Sequence, residues 1–188
     1  QLLADAARLA EQAPPRPPLP LQPGERVALR LLDLPRPCPA MAVAEAARAG
    51  PGWYPLEDWG VWTRPGMATL RLPLGPGFTG PLRLELELRG PARDQVVALH
   101  PRRQGGACGP AVEVVLASGA GHAAGLAVPP GEGAVEILLE SASTATQPDG
   151  RKVGVGLLAL SVARADSAED RLAVLEARFF HAARRAGA

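Results

Sequence analysis

All three tryptophans of the chain, Trp53, Trp59 and Trp62, and its only tyrosine, Tyr54, fall in the segment Gly52–Thr63, with the carboxylates Glu57 and Asp58 among them. Aromatic residues make up only 4 % of the sequence, so composition does not explain the grouping. Rings beside carboxylates suit one kind of chemistry: a flat apolar ring face stacks on a sugar, and a carboxylate accepts hydrogen bonds from its hydroxyls. The same rings can instead plug one end of a core built mainly from Leu, Val and Ala, and the residues are compatible with both. Pro51, Gly52 and Pro55 place Trp53 and Tyr54 in a loop, which favours exposure of that pair. Trp59 and Trp62 flank Gly60 and Val61 and suit rings tucked under a sheet edge.

Other chemistries find little support. Glycoside hydrolysis needs two carboxyl groups on either side of the scissile bond. Glu57 and Asp58 are neighbours in one loop, and no second acidic cluster converges on them, so no catalytic residue is assigned and no enzyme is expected. His100, His122 and His181 are isolated from Cys, Asp or Glu at ligand spacing, which speaks against zinc or a triad. Ser118, Ser141 and Ser143 lack a G-x-S-x-G context. Gly119-Ala120-Gly121-His122 lacks the Lys-Ser/Thr of a phosphate loop and reads as a hairpin turn. No oxygen-rich loop for calcium stands out, so no metal and no cofactor are expected. Glu57 close to tryptophans would be costly without a partner.

With 188 residues the chain is long enough for one domain with a proper core. Its net charge of +1, with acids and bases interspersed, gives no basic stripe for a nucleic-acid backbone. A run of about 18 apolar residues is lacking, so no membrane span is expected. The sequence begins at Gln1 without Met or a charged leader, which suggests an excised or processed piece of a longer protein and leaves a cytoplasmic or a cell-surface location equally open. Cys38 and Cys108 are compatible with one disulfide or with two small buried hydrophobes.

Residues 1–23 read as a short amphipathic helix over Leu2–Gln12 followed by a Pro-rich strap, because Pro14, Pro15, Pro17, Pro18 and Pro20 forbid continuation. Residues 24–164 read as a β-sandwich. Strands are predicted over Arg26–Leu32, Met67–Leu74, Leu82–Arg89, Gln95–His100, Val112–Leu116, Gly125–Val128, Val135–Glu140 and Val153–Ala163, with a short Ala-rich helix over Ala40–Ala49. Leu82–Arg89 alternates Leu with charge and so has one face in a core and one in water. Short alternating strands between Gly and Pro turns point to a mainly β, antiparallel jelly-roll-like sandwich. Residues 165–188 read as an amphipathic helix with a capping box at Asp166 and Glu169 and a stripe of Leu172, Leu175, Phe179 and Ala183, widened by Val174 and Phe180. That stripe must pack on the sandwich or on another chain.

Gly52-Trp53, Glu57, Trp59-Gly60-Val61-Trp62-Thr63, Gly66 and the strand from Ala68 to Leu74 resemble a bacterial β-sandwich module, appended to or alongside polysaccharide-building glycosyltransferases. Its second block, D-x-R-x-L-G-hydrophobic, is similar to Asp149-Gly150-Arg151-Lys152-Val153-Gly154-Val155, while Ser143–Thr146 departs from the Pro and acidic pair usual before it. The resemblance spans about residues 50–164 and implies a jelly-roll, carbohydrate-binding-like, non-catalytic accessory role in surface-polysaccharide recognition or synthesis. Candidate ligand residues are then Trp53, Tyr54, Glu57, Asp58, Trp59, Asp149 and Arg151, and the resemblance makes Arg151 of the second block a candidate partner for Glu57, so that the two blocks meet in space. The alternative is an assembly protein, a particle or spike component, whose helices bind a partner or self-associate through Leu172, Leu175, Phe179 and Phe180.

Overall fold

The structure, a computed structural model, describes residues 21–22, 24–31, 39–48, 50–72, 74–75 and 78–186. The expected N-terminal helix, most of the Pro strap, Cys38 and the side chain of Phe180 lie outside the described residues.

The chain is mainly β. Its strands are β1 (Arg26–Ala28), β2 (Val61–Trp62), β3 (Met67–Leu72), β4 (Leu82–Arg89), β5 (Gln95–Arg103), β6 (Val112–Leu116), β7 (Gly121–Val128), β8 (Val135–Ser141), β9 (Ala145–Thr146), β10 (Lys152–Val153) and β11 (Gly156–Arg164). Helix α1 is Pro39–Ala47 and helix α2 is Ala168–Ala186. One sheet has the order β1-β11-β4-β7, with β2 also on β11, and the other the order β3-β8-β5-β6, all antiparallel. This is the order of a long hairpin whose strand pairs, β1 with β11, β3 with β8, β4 with β7 and β5 with β6, are wrapped into two sheets: a jelly roll.

Alternation sets the core. Leu82, Leu84, Leu86 and Leu88 are buried, while Arg83, Glu85, Glu87 and Arg89 form the outer row of β4. Leu126 and Val128 of β7, Val97 and Leu99 of β5, Ile137 and Leu139 of β8 and Leu70 and Leu72 of β3 close the interior. On the outer face of β11 sit the small residues Ala159, Ser161 and Ala163. Arg26 and Glu87, from the strands on either side, meet across them at 2.8 Å.

Several strands differ from their sequence reading. β5 runs past Pro101 to Arg103 because the β5–β6 ladder ends at Leu99↔Val112, so a missing donor at Pro101 breaks no ladder bond. β7 starts at Gly121 because its full pairing with β4 outweighs the weak strand propensity of Gly and Ala. Gly119, at φ +67°, turns the chain from β6 in one sheet to β7 in the other, so this corner is not a hairpin. The last strand is split at Gly154–Val155 into β10 and β11.

Helix α2 starts one residue later than its expected cap. Ser167, not Asp166, is the N-cap: its hydroxyl accepts the Asp170 N–H at 3.1 Å. The Asp170 carboxylate in turn accepts from the Arg164 backbone N–H, Nε and Nη2 at 2.9, 2.8 and 2.7 Å. The packed face is Asp170, Ala173, Val174 and Arg178, the last bound to Glu85 at 2.7 Å. Small partners allow this close approach: a Cβ on Gly24 would lie 2.8 Å from the Ala173 Cβ. The stripe of Leu172, Leu175 and Phe179 stays largely exposed, at 57 %, 57 % and 70 %, with Leu175 at the border between helix and sheet.

The Arg164 guanidinium holds Asp170 down at about 2, below its ordinary 3.8. A carboxyl with a depressed folded pKa contributes stability that is complete above its unfolded value and disappears as pH falls through the folded one. Urea unfolding is therefore expected to show Asp170→Asn less stable than the parent by about 1–2 kcal/mol at pH 5, with the gap closing between about pH 4 and pH 2.

Candidate functional site

The aromatic segment forms one rim of the sandwich. β2 pairs with the start of β11 through Val61↔Leu157 and Trp62↔Gly156, and an isolated bridge joins Trp53 to Thr63. The reason these residues fold together is space: a Cβ on Gly156 would lie 2.9 Å from Trp59 and 3.1 Å from Trp62, so only glycine lets both rings lie on this strand. The two rings sit 4.6 Å apart, tilted by 58°. The Thr63 hydroxyl accepts the Val155 N–H at 2.9 Å, and Gly154 leaves no room for a side chain between Thr63 and Ser141.

Trp53 is 6 % exposed and Trp62 5 %, and the Trp53 ring N–H donates to the Thr69 carbonyl at 2.7 Å. A buried ring with its N–H engaged offers no face to a sugar, so the loop reading of Trp53 as an exposed residue is corrected. Pro51 and Gly52 do make a loop, but the loop turns the indole inward over β3, where burying a large ring outweighs local turn geometry. Tyr54 and Trp59 are half-buried, and Asp58 is exposed.

The two blocks of the sequence meet at the expected pair. Arg151 Nη1 donates to Glu57 Oε1 at 2.6 Å across 94 residues of sequence, and Arg151 Nε donates to Asp149 Oδ2 at 2.6 Å. The other Glu57 oxygen accepts the Trp59 ring N–H at 2.8 Å. Glu57 is thus satisfied on both oxygens, which is what a carboxylate among tryptophans requires. The Arg151 guanidinium is held above its ordinary value, first by Glu57 and then by Asp149. Asp149 is held below the usual carboxylate range by hydrogen bonds from the Arg151 backbone and side chain.

Two further cations, Arg64 and Arg89, complete the rim. Arg64 lies over the Tyr54 ring at 4.5 Å and Arg151 at 5.2 Å, while Arg89 lies over Trp59 at 5.0 Å. The Tyr54 hydroxyl donates to the Lys152 carbonyl at 3.0 Å. Behind them Gln95, 2 % exposed, ties the loops together: its amide donates to the Gly154 carbonyl at 3.3 Å and its oxygen accepts the Ser143 N–H at 3.1 Å. Sequence reasoning missed Arg64, Arg89 and Gln95. Arg89 was legible as the end of the outer row of β4, but nothing in the pattern places that row beneath Trp59.

Of the expected site residues, Tyr54, Glu57, Trp59, Asp149 and Arg151 come together, Asp58 adjoins them on the surface, and Trp53 is core. Among the described residues no group of three or more His, Cys, Asp or Glu could hold a metal ion, and no helix is long and apolar enough to cross a membrane. His100 stands 3.6 Å from Glu140 on the outer face of the other sheet. Cys108 is exposed and so is not a small buried hydrophobe. No protein-family model matches the chain, and no curated protein matches it in sequence.

Proposed function

We propose that the protein is a non-catalytic, carbohydrate-binding-like module acting in the recognition or synthesis of bacterial surface polysaccharide. The observation that supports this reading is the rim itself, where half-exposed Tyr54 and Trp59 share one surface with Glu57, Asp58, Asp149 and Arg151. Ring edges, guanidinium donors and carboxylate acceptors are the groups that hydroxyl-rich ligands use. The resemblance of the two blocks to modules of polysaccharide-building glycosyltransferases points the same way. Affinity is expected to be modest, since an open rim buries little surface and each hydroxyl exchanges water for a protein partner.

A second reading, an assembly role, is favoured by α2, whose Leu172 and Leu175 are both 57 % exposed. One experiment separates the two. Titration with capsular and exopolysaccharides, followed by tryptophan emission, is expected to give a saturable shift that weakens at least tenfold in Trp59→Ala. A flat response from folded protein, with a mass that rises with concentration, rejects the glycan reading in favour of assembly.

A further inference from the structure

A cleft separates α2 from the outer face of the sheet formed by β11, β4 and β7. It encloses about 250 Å³ between Arg83, Glu85 and Ser161 on the sheet and Arg171, Val174 and Leu175 on the helix. Past Arg83 and Arg171 it opens into a shallower depression of about 370 Å³ floored by Gly125 and Ala127. Those small residues let the Arg83 guanidinium lie flat on the strand, 3.1 Å from where a Gly125 Cβ would be.

The polar groups here are not used up. Ser161 is 2 % exposed and lines the cleft, and its hydroxyl has no hydrogen-bond partner among the described residues. That hydroxyl is not among the buried polar atoms sealed from water, so it is open to the cleft and able to donate to a ligand there. Glu85 is engaged by Arg178 at 2.7 Å and stands 3.7 Å from Arg83 Nε. Arg171 makes no side-chain ion pair or hydrogen bond among the described residues, although it shares both parts of the cleft with Arg83. Two guanidinium groups and the Ser161 hydroxyl, with one carboxylate already taken, leave an excess of positive charge and of donors. Val174, Leu175 and Ala163 supply apolar walls.

We propose that this cleft binds an oxyanion, a carboxylate or phosphate carried on a sugar-sized body, through Arg83, Arg171 and the Ser161 hydroxyl. Planar guanidinium forks suit such oxygens, and the size and mixed lining fit a small ligand. The site goes beyond the rim reading and does not depend on it: Arg83 and Arg89 stand near opposite ends of β4, which keeps the cleft away from Trp59.

The test is a titration of the whole chain at low salt with glucuronate, with glucose 1-phosphate and with neutral glucose, read by amide chemical shifts. Saturable shifts are expected at Ser161, Ala163 and Arg171 for one or both anions and not for glucose. The two anions distinguish a carboxylate source from a phosphate one. Arg171→Ala and Arg83→Ala, both at the surface, should each weaken binding about tenfold, and Arg171→Glu should abolish it, while Trp59→Ala leaves it intact. Shifts confined to the rim, equal affinity in the arginine variants, or no saturable shift with either anion would overturn the site, whatever the rim binds.

Discussion

Arg103→Met is expected to lower the melting temperature by about 10 °C. Arg103 ends β5 and is only 2 % exposed, and among the described residues it forms no ion pair with a carboxylate. Its guanidinium instead donates to four backbone carbonyls, those of Phe78 at 2.5 Å, Gly80 at 3.1 Å, Pro129 at 3.2 Å and Gly133 at 3.3 Å. Two loops at the end of the sandwich remote from Trp59 are thus pinned by one cation, and burial pushes that guanidinium below its ordinary value. Methionine fills similar space but leaves four carbonyls without this donor. At about 1–3 kcal/mol for each carbonyl that water cannot reach, a total of about 3–4 kcal/mol follows. Arg103→Lys should rescue little of this, because one compact ammonium cannot reach both loops as a planar fork does. Calorimetric melting of the three proteins checks the order; a melting point within 2–3 °C of the parent for Arg103→Met, about 1 kcal/mol, would sink the account.

The second large effect is expected from Gly52→Ala. Gly52 has φ +94°, and a Cβ there would lie 2.3 Å from the Met67 carbonyl oxygen and 2.8 Å from Ala68 Cα. Both neighbours are backbone of β3, so relief requires moving a strand and not a rotamer. The backbone strain costs about 1–2 kcal/mol and the displaced strand adds to it, giving about 3 kcal/mol or more. Gly66→Ala is the matched control, with φ +85° and nothing within 4 Å of the added Cβ, so it should show the strain alone, about 1 kcal/mol. The Gly52 carbonyl also accepts the Arg64 N–H at 2.6 Å, so the strand shift carries Trp53 and Arg64 with it. Denaturant unfolding gives the energies, and a red shift of tryptophan emission should accompany Gly52→Ala and not Gly66→Ala. Equal losses in the two variants would show that β3 makes way without cost.

Much of the molecule was legible in its residues because burial on one side of a strand writes itself into every second position. Leu82–Arg89 and Val112–Leu116 were readable to the residue, since one face meets a core and the other meets water. β7 was read short because Gly and Ala carry little such signal. That Glu57 needs a partner followed from the cost of leaving a carboxylate unpaired among rings, while the choice of Arg151 came from the resemblance of the second block. Which rings are exposed did not follow, because a Pro and Gly loop says that the chain turns and not which way its side chains face. α2 shows the same limit: its largest apolar residues mark a stripe, yet the sandwich packs mainly on a neighbouring one, where Ala173 meets Gly24 and Val174 is buried.

The residues alone pointed to the sandwich class, to the alternation of its main strands and to the need of Glu57 for a partner. These depend on local periodicity and on the price of burying charge. Only the tertiary structure decided that Trp53 is core, that Arg103 and Gln95 hold loops together, and that Arg83, Arg171 and Ser161 line one cleft. Each of those depends on which outer rows and loop carbonyls the wrapped hairpin brings face to face, and that is a property of non-local packing that no local spacing encodes.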